Sequence, residues 1–233
     1  MKKLIALLLV GLVLVGCSDK KKPESTTTPI PTPISTVEPT PIPLDHDTYD
    51  SLYVIINKNH PLPEDFEPSD LVVPNVLATK DGLQIRQEAA TALEDMFNAA
   101  KEEGITLRLG SGYRSYSTQN RLFNNYVAKD GEEAANRYSA RPGQSEHQTG
   151  WAVDISDGSM NNWLKNSFKN TPEGIWLAEN SYKYGFVLRY TEEKEEVTGY
   201  IYEPWHFRYI GLEEAQKITE SGLTLEEFYN YMN

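Results

Sequence analysis

The sequence predicts an α+β fold: a single compact domain with a small antiparallel sheet and helices packed around it. Three observations lead there. Apolar residues recur at spacings of three and four in some segments and at alternate positions in others, so helices and strands are both present. The two kinds follow one another without the regular alternation of a doubly wound sheet. All of them fall within about 185 residues of globular composition, enough for one well-filled core, behind a leading stretch of different character.

That leading stretch has two parts. Met1-Lys2-Lys3 is a short basic start, and Leu4 to Val15 is almost unbroken apolar sequence. The run is too short for the ~20 residues of a membrane span and has the pattern of a secretory signal, assigned to residues 1–16. Residues 17–47 then read as a linker. "KKPESTTTPIPTPISTVEPTPIPL" sets Pro among Thr and Ile with no glycine and no helical or strand period. Such a segment favours extended polyproline II at ~3.1 Å per residue, so about 30 residues hold the globular part up to ~90 Å away. The domain proper is expected over residues 48–233.

Within the domain, "SLYVIINKNHPLP" predicts a short apolar strand ending in a Pro-bounded turn. Leu83 to Lys101 predicts a helix, with Ile85, Ala89, Leu93, Met96 and Ala100 on one face and Gly104 stopping it. "ITLRLGSGYRS" reads as a strand, because Ile105, Leu107 and Leu109 alternate with Thr106 and Arg108. Ser117 is expected to cap a helix reaching Lys129, and a second helix covers Glu132 to Tyr138. "GWAVDI" is the next strand. Thr171-Pro172-Glu173 opens a helix that closes at Gly185, with a cap, a Pro at the first helical position and a terminal Gly. "FVLRY" and "WHFRYI" are strands, separated by the acidic "TEEKEEVTGY", which reads as a solvated hairpin tip around Lys194. Two helices follow, the last beginning after Thr224.

Composition narrows the partners. The formal charge of −12 becomes more negative once Lys2 and Lys3 leave with a signal. Nucleic acid is therefore excluded, since its phosphates demand a basic face. Lys20 to Lys22 is the one basic cluster a membrane surface would find. Cys17 is the sole cysteine, so neither an internal disulfide nor a cysteine zinc site is available.

Two of the four histidines have telling company. His46 and His60 sit among polar residues and Pro, as turn residues do. His147 lies in "RPGQSEHQTGWAVDIS", a Gly- and Pro-rich loop feeding a strand. Asp154 on that strand is flanked by Val153 and Ile155, so its carboxylate faces away from both. His206 lies in "YEPWHFRYI", on another predicted strand. Two imidazoles and one carboxylate with an open position is the composition of a catalytic zinc site. Glu203, three residues before His206, is the candidate for a non-ligating proton carrier. Each spacing alone is short enough to arise by chance. Their joint presence with "SGYRS" upstream makes the set specific.

The blocks "SGYRSYSTQ", "SEHQTGWAVD" and "EPWHFRY" together resemble those of the VanY-type D-alanyl-D-alanine carboxypeptidases, zinc peptidases grouped with D-Ala-D-Ala dipeptidases and L,D-carboxypeptidases. Ser145, His147, Gly150, Ala152 and Asp154 match the middle block at every defined position, and Glu203 and His206 match the last. The match runs from about Leu52 to Tyr209 in the family's order. It implies one Zn²⁺ held by His147, Asp154 and His206 on the small sheet, with Glu203 as general base. It also implies that Arg114 addresses the scissile carbonyl or the substrate carboxylate, as a planar permanent cation can. Gln119 could add an amide for substrate and Ser145 a hydroxyl. Trp151 and Trp205 are assigned to the core rather than the site.

The implied activity is removal of C-terminal D-alanine from peptidoglycan stem peptides. D,D- and L,D-specificity both remain open, because metal and base contact only the scissile bond. Alternatives are a peptidoglycan endopeptidase, which the paired Arg114 and Gln119 disfavour, or a non-catalytic wall-binding lipoprotein on the same fold. A capture lipoprotein for a transporter would want two larger lobes. Leu14-Val15-Gly16-Cys17 resembles the lipobox of bacterial lipoproteins, which implies diacylation of Cys17 and anchoring at the outer face of the cell membrane; separately, a monomer is expected.

Overall fold

The computed structural model describes residues 44–232. The expected signal, Cys17 and most of the linker lie outside the described residues. Residues 44–47 are already tied to the body. The Asp45 carboxylate accepts from the amides of Asp47 and Thr48, His46 Nδ1 lies 2.8 Å from the Tyr53 carbonyl, and the Tyr231 hydroxyl donates to Asp47.

The elements in order are β1 (Leu71–Val72), β2 (Ile85–Arg86), α1 (Gln87–Glu102), β3 (Leu107–Ser111), α2 (Tyr116–Asp130), α3 (Glu132–Tyr138), β4 (Ala152–Asp157), α4 (Pro172–Asn180), β5 (Phe186–Leu188), α5 (Glu195–Thr198), β6 (His206–Tyr209), α6 (Leu212–Ser221) and α7 (Leu225–Phe228). The main sheet has the order β3-β4-β6-β5 with every neighbour antiparallel, and β1 pairs with β2 separately. The expected α+β architecture is therefore the observed one.

The sheet is buried on both faces. Leu107, Leu109, Val153, Ile155, Phe186 and Phe207 join the apolar face of α1, where Ala89, Leu93, Met96 and Ala100 are fully enclosed. Val187 belongs to a second cluster on Ile55, Ile210, Ala215, Ile218 and Leu225. Side chains alternate across a strand, so Asp154, between Val153 and Ile155, points away from the α1 core.

Several expected elements take a different form. α1 begins at Gln87, not Leu83, because the amides of Arg86 and Gln87 are already bonded to the carbonyls of Gly150 and Asp70. Ile85 is still buried, but from a strand. Residues 52–62 form no strand. Val54, Ile55 and Ile56 do alternate between two apolar clusters, but the carbonyls of Leu52 and Val54 accept from Arg208 Nη2 rather than from a neighbouring strand. Ser115, not Ser117, caps α2. The helix expected to run to Gly185 is α4 plus a 3-10 turn, Ser181–Tyr184. The acidic segment is no free hairpin tip: it holds α5, clamped by a bidentate Arg137–Glu195 pair at 2.6 and 2.7 Å and by Lys194 on Glu227 at 2.7 Å. The Thr171 cap with Pro172 and the start of the last helix after Thr224 are as expected, and a Thr224–Glu227 capping box fixes the latter.

Close approach requires a glycine at position 110. A Cβ at Gly110 on β3 would stand 2.0 Å from the ring of Trp163. Gly110→Ala should therefore destabilise the protein by about 1–3 kcal/mol, the range for overpacking a filled site. Thermal unfolding should show a fall of roughly 2–4 °C per kcal/mol, whereas Gly104→Ala, with open space around its Cβ, tests the backbone alone.

Candidate active site

The antiparallel register sets Asp154 of β4 directly opposite His206 of β6. A register shift in β3 between Leu109 and Ser111 brings Ser111 opposite Asp154 from the other side. His147 arrives on a 3-10 turn, Glu146–Thr149, that Gly150 ends at φ +73°. A side chain at Gly150 would also press on Arg86 and Leu71, so the turn needs glycine twice over.

These placements converge three buried donors. His147 Nε2 lies 3.1 Å from Asp154 Oδ2, and His206 Nδ1 lies 3.0 Å from Asp154 Oδ1. One ligand atom from each residue lies within 4.8 Å of the others. The remaining nitrogen of each ring faces an acceptor: His147 Nδ1 is 2.8 Å from the Gly112 carbonyl, and His206 Nε2 is 3.5 Å from Glu146 Oε2. Imidazoles oriented in this way by an outer acceptor are what a bound zinc requires. The donor set fits a tetrahedral zinc with one position left for water or substrate.

Glu203 Oε2 stands 3.9 Å from His206 Nδ1. Burial pushes its carboxyl up to about 8, against the pull of His206. Burial likewise acts to raise Asp154, but His147 and His206 outweigh it and hold Asp154 well below the usual carboxylate range. Burial depresses His147, whereas hydrogen bonds to Asp154 and Glu146 overcome burial at His206 and raise it to about 9. A divalent cation among these groups works against both raised values, since it favours carboxylate and neutral imidazole.

Arg114 reaches the same point from the loop before α2. Its Nη2 donates to Ser111 Oγ at 3.0 Å and lies 3.8 Å from Asp154 Oδ2, while Nη1 donates to Gln119 Oε1 at 2.7 Å. Gln119 Nε2 donates to the Ala140 carbonyl at 2.6 Å. Both ends of the Gln119 amide are thus engaged, and it stands behind Arg114 rather than on the cleft wall. Ser145 does line the cleft.

The cleft holds about 380 Å³. Its chemical floor is Arg114, His147, Asp154, Glu203 and His206, and its facing wall includes Leu122, Tyr126, Tyr138, Leu164 and Ile201. Trp205 lines it as well as joining the core, while Trp151 stacks on Tyr209 with Arg86 over its ring, away from the site. His46 and His60 contribute nothing here. His46 packs on Tyr229, and His60 packs on Tyr231 and bonds Asn57.

Sequence reasoning missed the groups behind the ligands. Glu146, Arg189, Arg208 and Glu226 form a buried ion network, with Arg189 Nε 2.8 Å and Arg208 Nη1 3.0 Å from Glu146 Oε1. Both terminal nitrogens of Arg189 bond Glu226, at 2.9 and 2.6 Å. A signal was present. Arg189 lies between Leu188 and Tyr190, and Arg208 between Phe207 and Tyr209, the same charged-within-apolar pattern that singled out Asp154.

The chain is similar to known proteins in both sequence and fold. The VanY D-alanyl-D-alanine carboxypeptidase family matches residues 82–212. The chain is 47% identical over 184 residues to the putative carboxypeptidase YodJ of Bacillus subtilis, spanning 77% of this chain and 67% of that protein. It is 36% identical over 180 residues to the bifunctional D-Ala-D-Ala dipeptidase and carboxypeptidase VanXYC of Enterococcus gallinarum, spanning 76% and 93%. Among solved structures, the LdcB LD-carboxypeptidase superposes with a TM-score of 0.74 at 46% identity, over 79% of this chain and 88% of that one. The vancomycin-resistance D,D-pentapeptidase VanY in complex with Zn(II) gives 0.65 at 34%, over 77% and 98%. With the family matched over more than half of its length and relatives above 30% identity, this chain belongs to the VanY D-alanyl-D-alanine carboxypeptidase family.

Proposed function

We propose that the protein is a zinc-dependent carboxypeptidase that releases C-terminal D-alanine from peptidoglycan stem peptides outside the cytoplasm. The observation that carries this reading is the convergence of His147, Asp154 and His206, with Glu203 and Arg114 beside them, at the floor of one cleft. Bound there, zinc would polarise the scissile carbonyl and acidify a water.

The chain's own residues supply the rest. Glu203 takes the proton from the attacking water and passes it to the nitrogen of the departing D-alanine, so the elements of water end on the two products. Its carboxyl suits this because it stands 3.9 Å from His206 Nδ1 without being one of the three converging donors. Arg114 offers a planar cation to the developing oxyanion or to the terminal carboxylate. Gln119 is a positioning residue: it fixes Nη1 of Arg114 and thereby aims Nη2 at the site. Aromatic and aliphatic residues of α2, α3 and the 200–201 segment face the stem.

The leading sequence supports a location for this activity. The apolar run closed by Leu14-Val15-Gly16-Cys17 supports diacylation of Cys17, which supplies the two chains that stable anchoring requires. The Pro/Thr-rich stretch would carry the enzyme out toward the wall.

Three experiments test this. With synthetic pentapeptide and tetrapeptide stems, the zinc-loaded protein should release D-alanine, detected by mass spectrometry, and Glu203→Ala should lower the rate by about 10²–10⁴. No release from either stem would sink the carboxypeptidase reading. Gln119→Leu should lower kcat/KM by about 10–100-fold through misplacement of Arg114, with zinc stoichiometry unchanged. Loss of zinc would show that Gln119 acts on the metal site instead. In cells fed a labelled fatty acid, the parent should be labelled and Cys17→Ser should not; equal labelling of both would place the lipid elsewhere.

A further inference from the structure

The buried network behind His206 is not explained by stability. The side chains of Glu146, Arg189, Arg208 and Glu226 are at most 1% exposed. Ion pairs this deep recover little more than their desolvation, and apolar residues of similar volume commonly serve the fold as well. What the charges do is divide the labour of one carboxylate. Glu146 Oε1 takes both cations, Arg189 Nε at 2.8 Å and Arg208 Nη1 at 3.0 Å, and Oε2 is left facing His206 Nε2 at 3.5 Å.

Glu226 makes that division possible. It holds the whole terminal fork of Arg189, through Nη1 at 2.9 Å and Nη2 at 2.6 Å, so Arg189 has only Nε to offer Glu146. Remove the Glu226 carboxylate and the fork is unpaired. A guanidinium prefers to bind a carboxylate through two parallel bonds, so it would turn to both oxygens of Glu146 and compete with His206 for Oε2.

We propose that Glu146 is a positioning residue that keeps the proton of His206 on Nε2 and its Nδ1 lone pair toward the metal, and that Glu226 of α7 sets zinc affinity from outside the cleft by holding Arg189 in place. The inference rests on the metal assignment above. It makes the C-terminal helix, which contributes no residue to the cleft lining, part of the metal site. α7 is well built for the task, since a capping box fixes its first turn, where Glu226 lies.

The test is zinc affinity of the full protein, measured by competition with a chromophoric chelator. Glu226→Gln should bind zinc tenfold or more weakly, the range for losing an outer-shell partner, and should change the visible absorption of the Co²⁺-substituted protein. Thr224→Ala loosens the same helix at its cap but keeps every carboxylate. It should melt lower and yet bind zinc within about twofold of the parent. Equal weakening in both variants, or an unchanged affinity in Glu226→Gln, overturns the proposal. Should Glu226→Gln fail to fold, the paired change Arg189→Met with Glu226→Leu replaces the buried pair by apolar volume. With the competing fork gone, that folded variant should bind zinc within about twofold of the parent, and tenfold weakening there overturns the proposal. A parent that binds no zinc would instead overturn the metal assignment, and this inference with it.

Discussion

Asp154 and His206 face each other across β4 and β6, and a slip of one residue in either strand would turn every side chain to the opposite face. The same register sets Val153 opposite Phe207 in the core beneath α1. Core and site therefore enforce one alignment. A sheet that slipped would expose Val153, Ile155 and Phe207 and scatter the ligands at the same stroke. The apolar packing is what holds a carboxylate and an imidazole 3.0 Å apart.

This arrangement asks one small sheet to bury hydrocarbon on one side and charge on the other. The charged side is satisfied in layers. Asp154 and the imidazoles face one another, Glu146 stands behind His206, and Arg189 and Arg208 stand behind Glu146. Arg208 continues outward to the carbonyls of Leu52 and Val54. Each buried ion meets a partner of opposite sign or a backbone dipole, the condition under which such groups are tolerated inside a protein. The outermost layer reshapes the chain: residues 52–56 bury their side chains as a strand would, yet give their carbonyls to a guanidinium.

That explains which parts of the molecule were legible in the sequence. Strands β3, β4, β5 and β6 could be read because their alternation records which face meets the core, and the caps at Thr171 and Thr224 because they depend on neighbouring residues alone. His147, Asp154, Glu203 and His206 could be read because three short blocks carry them in a recognised order. The start of α1 was illegible, because donors that the helix would need not share are claimed by Gly150 and Asp70, far off in sequence. The acidic segment was illegible for the same reason. Its glutamates and lysine look solvated until Arg137 of α3 and Glu227 of α7 are brought beside them. The ion network left a local mark, an arginine between two apolar strand residues, whose meaning depended on Glu146 and Glu226 arriving from elsewhere.

The two walls of the cleft have different origins, and this bears on how the activity is tuned. The chemical floor belongs to the sheet and its immediate loops, where core packing fixes every position. The facing wall comes from the α2–α3 pair and adjoining loops: Tyr126 meets Tyr138 edge-on at 5.2 Å, and Tyr138 is held by Asp130. Those helices pack on each other through few fully buried side chains, Phe123 and Ala135 among them. Substitutions there can reshape the surface that meets the stem without disturbing strand register or ligand geometry. Substitutions on the sheet cannot. The wall that can change without cost to register or ligands is therefore the helical one.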